Sequence, residues 1–406
     1  MNFQSGLDEK SLRILTTPPT TEPLFPNLRY LRGEYETKSL HLLHLPLPSL
    51  ISLDVNFRDP QWFQDSLESL PDFSPDITTL SLRVGWSPVA FSQFFSVCVS
   101  RWKNLETLIC PEIALDVDTL THLSRMPALT ELAFALSTTP TAFDSPLSFS
   151  NLHDLVVRSE SLEPIPWLFF QIRLPVVTNL HALVGDSPLA KELSSLFASV
   201  QTSGIGHIIR GLWLSQSTSQ CDERNPGALQ LDLDSLRPCM TFGDLRWIDL
   251  NIDWDVYLTD GDLLTLASAW PQLESLIINE DWGWKTESGI TPDGLLKLLR
   301  TCSSLSRVAV AIDTRGYIEC LGSPDHFGLA SSRKFHIDVL DSVIAAESVP
   351  AVATYFANIA LCSRSMTLNA WNSWVMAVAG ISNWEVYMNR WQDVFGRLND
   401  AVGRRS

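Results

Sequence analysis

At 406 residues, with 45% hydrophobic and 18% charged side chains, 14 tryptophans and 19 phenylalanines, the chain is too apolar and too aromatic to be disordered. A formal net charge of −17 argues against nucleic acid as the main ligand, because like charge repels the phosphate backbone and no counterion release favours contact. The length admits two or three ordinary domains or one elongated repeat array, and the pattern along the chain favours the array.

Residues 1–24 form a short lead whose ThrThrProProThrThr run reads as a linker or turn. The start MNFQSGLDEK has neither a basic n-region nor an apolar h-region, and no Asn-x-Ser/Thr sequon occurs anywhere. The longest apolar runs, such as PWLFF from Pro166, fall well short of the roughly 18 residues that a spanning helix needs. Seven cysteines without a CxxC pair read as reduced, mostly buried small hydrophobes. The expectation is a soluble intracellular protein, cytoplasmic or nuclear, that does not engage membranes.

After the lead, one short phrase recurs. It opens with FPNLRYL at Leu28, LPSLISLDV at Leu50 and SPDITTLSL at Ile77, and continues with RWKNLETLIC at Leu105. MPALTELAFAL places Leu129 in the same slot, FSNLHDLVV Leu152, LPVVTNLHAL Val177 and GHIIRGLWL Ile209. FGDLRWIDLNI follows at Leu245, AWPQLESLII at Leu273 and CSSLSRVAV at Leu305, with blurred copies at Phe335 and Met366. Leu105 and Leu273 are 168 residues apart, six steps averaging 28 residues. The local form L-x-x-L-x-L suits a short strand whose alternate residues face a core.

Between strands the chain carries helical grammar. LTDGDLLTLASAWP offers Thr259 or Asp260 as N-cap, and ITPDGLLKLLRTC offers Thr291 as N-cap with Pro292 at the first helical position. One strand plus one helix per repeat cannot bury its apolar face alone, so neighbouring repeats must stack. The predicted fold is an α/β leucine-rich-repeat solenoid, a curved horseshoe with a parallel sheet on its concave face and helices on its convex face. An irregular array over 25–381 is followed by a C-terminal capping helix and tail over 382–406. In that tail Ser382 and Glu385 suit a capping box, and Trp384, Tyr387, Met388, Trp391, Val394, Phe395 and Leu398 form an apolar stripe.

LASAWPQLESLII, followed by GWKTESGITPDGLLKLLRTCSSLSRVAVAIDT, resembles the leucine-rich-repeat part of fungal F-box proteins. The likeness covers roughly residues 25–395 and is most specific between Leu245 and Thr314. The resemblance implies a module that recognises substrates for a cullin-type ubiquitin ligase, with a free-standing scaffold as the alternative. A Skp1-type adaptor is implied only if an F-box stands upstream, because no F-box is visible in the lead. With nothing in the lead to cover the first strand, the expectation is a chain that is incomplete or needs a partner at that edge.

The sequence offers no catalytic constellation, and no enzyme activity, cofactor or metal is expected. GxSxG, HExxH and GxxxxGK[ST] motifs are absent, and GIGHIIRG from Gly204 has the wrong glycine spacing for a dinucleotide loop. Asp249, Asn251 and Asp253 imitate a calcium loop, but Trp254 stands where glycine is needed. His41 and His44 have no third ligand nearby.

The distinctive stretch runs from Trp247 to Trp284, where eight carboxylates and five tryptophans occur with no Lys or Arg before Lys285. Such a mixture suits a protein partner with a basic segment, since tryptophan supplies area and a π face while carboxylates supply charge. The same residues also suit helix caps and solvent, with Trp270 in the core. The strand register puts Trp247, Asp249 and Asn251 outward in one repeat and Ser275, Ile277 and Asn279 in the next, with Ile248, Leu250 and Ile252 inward. The candidate partner-binding residues are Trp247, Asp249, Asn251, Asp253, Ile277, Asn279, Asp281, Trp282 and Trp284.

Overall fold

The structure is a computed structural model that describes residues 23–34, 45–57, 60–84, 89–137, 143–217, 230–316, 327–329, 332–372 and 383–403. Most of the lead, His41, His44, Cys221, Cys320 and Ser382 lie outside the described residues. The chain forms two compact units, Met1–Leu183 and Val184–Ser406.

In the first unit the repeated phrase builds β1 (Tyr30–Glu34), β2 (Ser52–Phe57), β3 (Thr79–Val84), β4 (Thr107–Ala114), β5 (Glu131–Ala135), β6 (Asp154–Ser159) and β7 (Asn179–Val184). β1 to β6 pair in parallel, each with the next. The second unit repeats the plan with β8 (Gly211–Gln216), β9 (Trp247–Asn251), β10 (Ser275–Ile278), β11 (Arg307–Ala309), β12 (Lys334–Asp338) and β13 (Ser365–Asn369), again parallel in sequence order. Helices connect many of the strands, among them α1 (Pro60–Phe73), α2 (Val89–Val99), α3 (Val117–Ser124) and α4 (Pro164–Gln171) in the first unit. α5 (Ala190–Thr202), α6 (Asp260–Ala269), α7 (Pro292–Thr301) and α8 (Val349–Leu361) do so in the second.

The slot leucine and the third and fifth residues after it are buried, as with Leu245, Ile248 and Leu250. Two backbone amides at each strand entry share one carbonyl of the previous repeat: Arg246 and Trp247 donate to Arg210, Glu274 and Ser275 to Arg246, Ser306 and Arg307 to Glu274. That shared acceptor locks one repeat's register to the next.

Wherever pairing connects them, the copies from Leu28 to Leu305 stand in the same slot. The two blurred copies do not. Arg307 pairs with His336 and His336 with Thr367, so the slots fall at Lys334 and Ser365, one residue before Phe335 and Met366. A one-residue slip exchanges the two faces of a strand, and here Ile337 stays buried because it pairs with Val308.

The recurring tryptophan of the two nearly identical phrases has a structural task. Trp102 and Trp270 are fully buried, and their indole N–H groups donate to the carbonyls of Ser74 (3.1 Å) and Cys239 (3.2 Å) in the preceding repeat. Helix capping couples repeats as well. Thr259 is the N-cap of α6, in a capping box with Asp262, and Asp260 is the first helical residue. Its carboxylate accepts from the amide and the hydroxyl of Thr291, both at 2.7 Å, while Thr291 caps α7. Gly294 leaves room for this bridge, because a Cβ there would lie 1.8 Å from an Asp260 oxygen.

At the C-terminal end α9 (Trp384–Gly403) packs on α8 with Trp391, Val394 and Leu398 buried. The Trp391 indole donates to Ser342 O at 2.9 Å, and the Arg390 guanidinium donates to Ile344 O at 2.6 Å. The other stripe residues, Trp384, Tyr387, Met388 and Phe395, are half-buried. Among the described residues no helix is long and apolar enough to cross a membrane.

Candidate protein-binding surface

The outward positions of the second unit's strands form two rows. One runs Gly211, Trp247, Ser275, Arg307, His336, Thr367; the other runs Trp213, Asp249, Ile277, Ala309, Asp338, Asn369. Trp247, Asp249 and Asn251 lie partly exposed on this face, opposite the buried Ile248, Leu250 and Ile252.

Five candidate residues are buried, although one of them, Ile277, keeps the expected outward register. β10 ends at Ile278, and positive φ angles at Asn279, Gly283 and Lys285 turn the following chain inward rather than along the sheet. Asn279 is fully buried; its amide oxygen accepts from Ile252 N (3.1 Å) and its amide nitrogen donates to Trp254 O (3.1 Å). Trp284 is also fully buried, its indole donating to Ile278 O at 3.0 Å. Trp282 is 6% exposed, with the Lys285 ammonium 5.4 Å from its ring centre. Asp253 is buried in an ion pair with Lys285. Ile277 sits in the outward row between Asp249 and Ala309 yet is 3% exposed. These five are buried, and the accessible part of the candidate set is Trp247, Asp249, Asn251 and Asp281.

The apparent excess of acid is also smaller in space than along the chain. Arg307, outward two residues after its slot, grips both oxygens of Glu280 at 2.9 and 2.7 Å, and Arg246 reaches Glu274 at 3.2 Å. Asn251 and Asp281 bond each other: the Asn251 amide donates to the Asp281 carboxylate, and Asp281 N donates to Asn251 Oδ1 at 3.1 Å. Asp260 and Asp262 serve helix caps.

Asp249 differs from these acids. Its Oδ1 is buried and accepts no hydrogen bond. Burial, with Glu280 and Asp281 nearby, pushes its carboxyl up to about 6 against the pull of Arg307. In the same row burial pushes Asp338 up to about 6, although it accepts from Leu340 N at 2.9 Å. Arg307, Glu280, His336 and Asp338 belong to this face but not to the candidate set. Arg307 was legible from the slot at Leu305, whereas His336 and Asp338 were hidden by the one-residue slip at Phe335.

Because the folded state retains the Asp249 proton to about pH 6 while the unfolded chain releases it near 3.8, stability falls as pH rises across that window. Asp249→Asn is therefore expected to raise the unfolding free energy by about 1–2 kcal/mol at pH 7.5 and to change it little at pH 4. Urea titrations at both pH values check this; an equal change at both would remove the carboxylate as its cause.

Described residues hold no group of three or more His, Cys, Asp or Glu side chains that could bind a metal. Cys98, Cys110, Cys239 and Cys302 are buried free thiols, and burial raises the pKa of each. The fold is of the leucine-rich-repeat type, and the second unit's sheet face mixes aromatic and acidic side chains.

No protein-family model and no curated protein matches the sequence. Among solved structures the chain is similar to yeast Rad7 in its complex with Elc1, at 13% identity and TM-score 0.43, covering 90% of this chain and 79% of that one. It is also similar to an internalin of Listeria monocytogenes, at 13% identity and TM-score 0.32, covering 92% of each chain. A third likeness is to TLR13 with ssRNA13, at 13% identity and TM-score 0.32, covering 84% of this chain and 42% of that one.

Proposed function

We propose that this chain is a non-enzymatic protein-interaction module whose outward sheet face in the second unit receives a basic segment of a partner protein. The observation that carries this reading is the Asp249 carboxylate, which faces outward beside Trp247 with an oxygen that no described group bonds. A partner arginine or lysine would pair with this partly exposed carboxylate while lying along the tryptophan. Asp281 and Asn251 border the same place. A nucleic acid fits poorly, since the carboxylates repel phosphate.

The finer reading is a substrate-recognition domain related to F-box adaptors of cullin-type ubiquitin ligases, supported by the phrases between Leu245 and Thr314. Affinity capture with quantitative mass spectrometry, comparing the wild-type chain with Asp249→Lys, tests both levels. Charge reversal is expected to weaken retention of the bound partner at least about tenfold. An unchanged set of captured proteins would remove this face as the binding site. Recovery of a Skp1-type adaptor and a cullin would support the ligase reading, and their absence would favour a free-standing scaffold.

α9 is proposed to close the array, because a solenoid end exposes apolar surface that a cap must cover. Deleting residues 382–406 removes α9 from α8, and is expected to lower both solubility and melting temperature. An unchanged melting curve would argue against the cap.

A further inference from the structure

The first unit contains a cavity of about 410 Å³ between α2, the start of α3 and α4, within the size range of small-molecule pockets. Its lining is mostly apolar, including Leu115 and Leu168, and Phe143 and Trp167 stack beside it with ring centres 6.0 Å apart at 20°. Ser96 lines it from α2, 2% exposed, with a hydroxyl that no group bonds. A serine inside a helix ordinarily satisfies its hydroxyl on the carbonyl one turn back, and one left unbonded in an apolar wall costs about 1–3 kcal/mol. Asp118 adds an exposed carboxylate to the lining.

We propose that this cavity binds a small flat aromatic molecule without negative charge, whose polar group bonds the Ser96 hydroxyl and whose ring lies against Phe143 and Trp167. Ser96 gives the ligand its orientation, the ring pair gives it contact area, and Asp118 disfavours anions. The site is built from first-unit residues alone, so it stands or falls independently of the sheet face of the second unit.

Ligand-observed NMR titrations of the full chain with 2-naphthol, 2-naphthylmethylamine and 2-naphthoate test the proposal. Saturable binding is expected for the first two, with naphthoate at least about tenfold weaker. Ser96→Ala is expected to weaken 2-naphthol about fivefold through the lost hydrogen bond. Gln93 is exposed on the same face of α2, one turn before Ser96, so Gln93→Trp blocks the opening from the surface and is expected to abolish binding without disturbing the core. No saturable binding of either probe, naphthoate binding as tightly as naphthol, or binding unchanged in either variant would overturn the proposal.

Discussion

Replacing Lys285 with alanine is expected to cost the second unit about 3–5 kcal/mol, because it leaves the Asp253 carboxylate buried without its counter-charge. The two side chains are 5% and 6% exposed, so water cannot take over for the missing ammonium. Backbone strain does not confound the comparison: Lys285 has a φ of 60°, and alanine carries the same Cβ into that conformation. The backbone amide of Lys285 still donates to Asp341 at 2.7 Å in the variant. Asp253→Asn with Lys285→Met removes both charges and is expected to recover most of the loss, since a buried pair replaced by neutral groups of similar size is often close to neutral overall. A double-mutant cycle in urea reads the coupling directly. Single variants that each cost less than about 1 kcal/mol would show that the pair is effectively solvated.

Trp270→Ala is expected to destabilise by a similar amount, about 3–5 kcal/mol, through a large cavity at a fully buried position. The cavity opens where repeats meet, because the indole lies against the carbonyl of Cys239 and the Cys302 thiol approaches the Trp270 carbonyl at 3.7 Å. Trp270→Phe separates the contributions: it keeps much of the volume and removes only the indole bond to Cys239 O, which still accepts from Phe242 N at 3.0 Å, for about 1 kcal/mol. Trp102→Ala places the same lesion in the first unit, against Ser74 O. Chemical denaturation monitored by circular dichroism checks all three; a tolerated alanine at either position would mean that the tryptophan is not what holds its turn.

The repeat itself was legible because the requirement for burial recurs along the chain at nearly fixed intervals. Leu105, Leu129, Leu245 and Leu273 each occupy the same slot, and the alternation after Leu245 placed Trp247, Asp249 and Asn251 on the outward face. Capping was equally local, since Thr259 and Thr291 act on amides three residues away. Where the pattern weakened, the reading slipped. Phe335 and Met366 are apolar enough to pass for the slot, and only the pairing of His336 with Arg307 and Thr367 shows that Lys334 and Ser365 stand there.

The surface was harder to read than the fold. Along the chain, eight acids from Asp249 to Asp281 met no cation, but Arg246, Lys285 and Arg307, just outside the stretch, return to pair with Glu274, Asp253 and Glu280. Tryptophan and aspartate have no fixed address in sequence: Trp247 is accessible while Trp254, Trp270 and Trp284 are core, and Asp281 is accessible while Asp253 is buried. By itself the sequence determined the strand-and-helix repeat, most slots and the helix caps, because these follow from periodic burial and from hydrogen bonds a few residues long. Only the tertiary structure decided which acids are neutralised, that Asn279 to Lys285 turns inward, and that Asp249 keeps a buried oxygen without a hydrogen bond. Those outcomes depend on contacts between residues about thirty apart, where stacking of repeats rather than local pattern sets the partner.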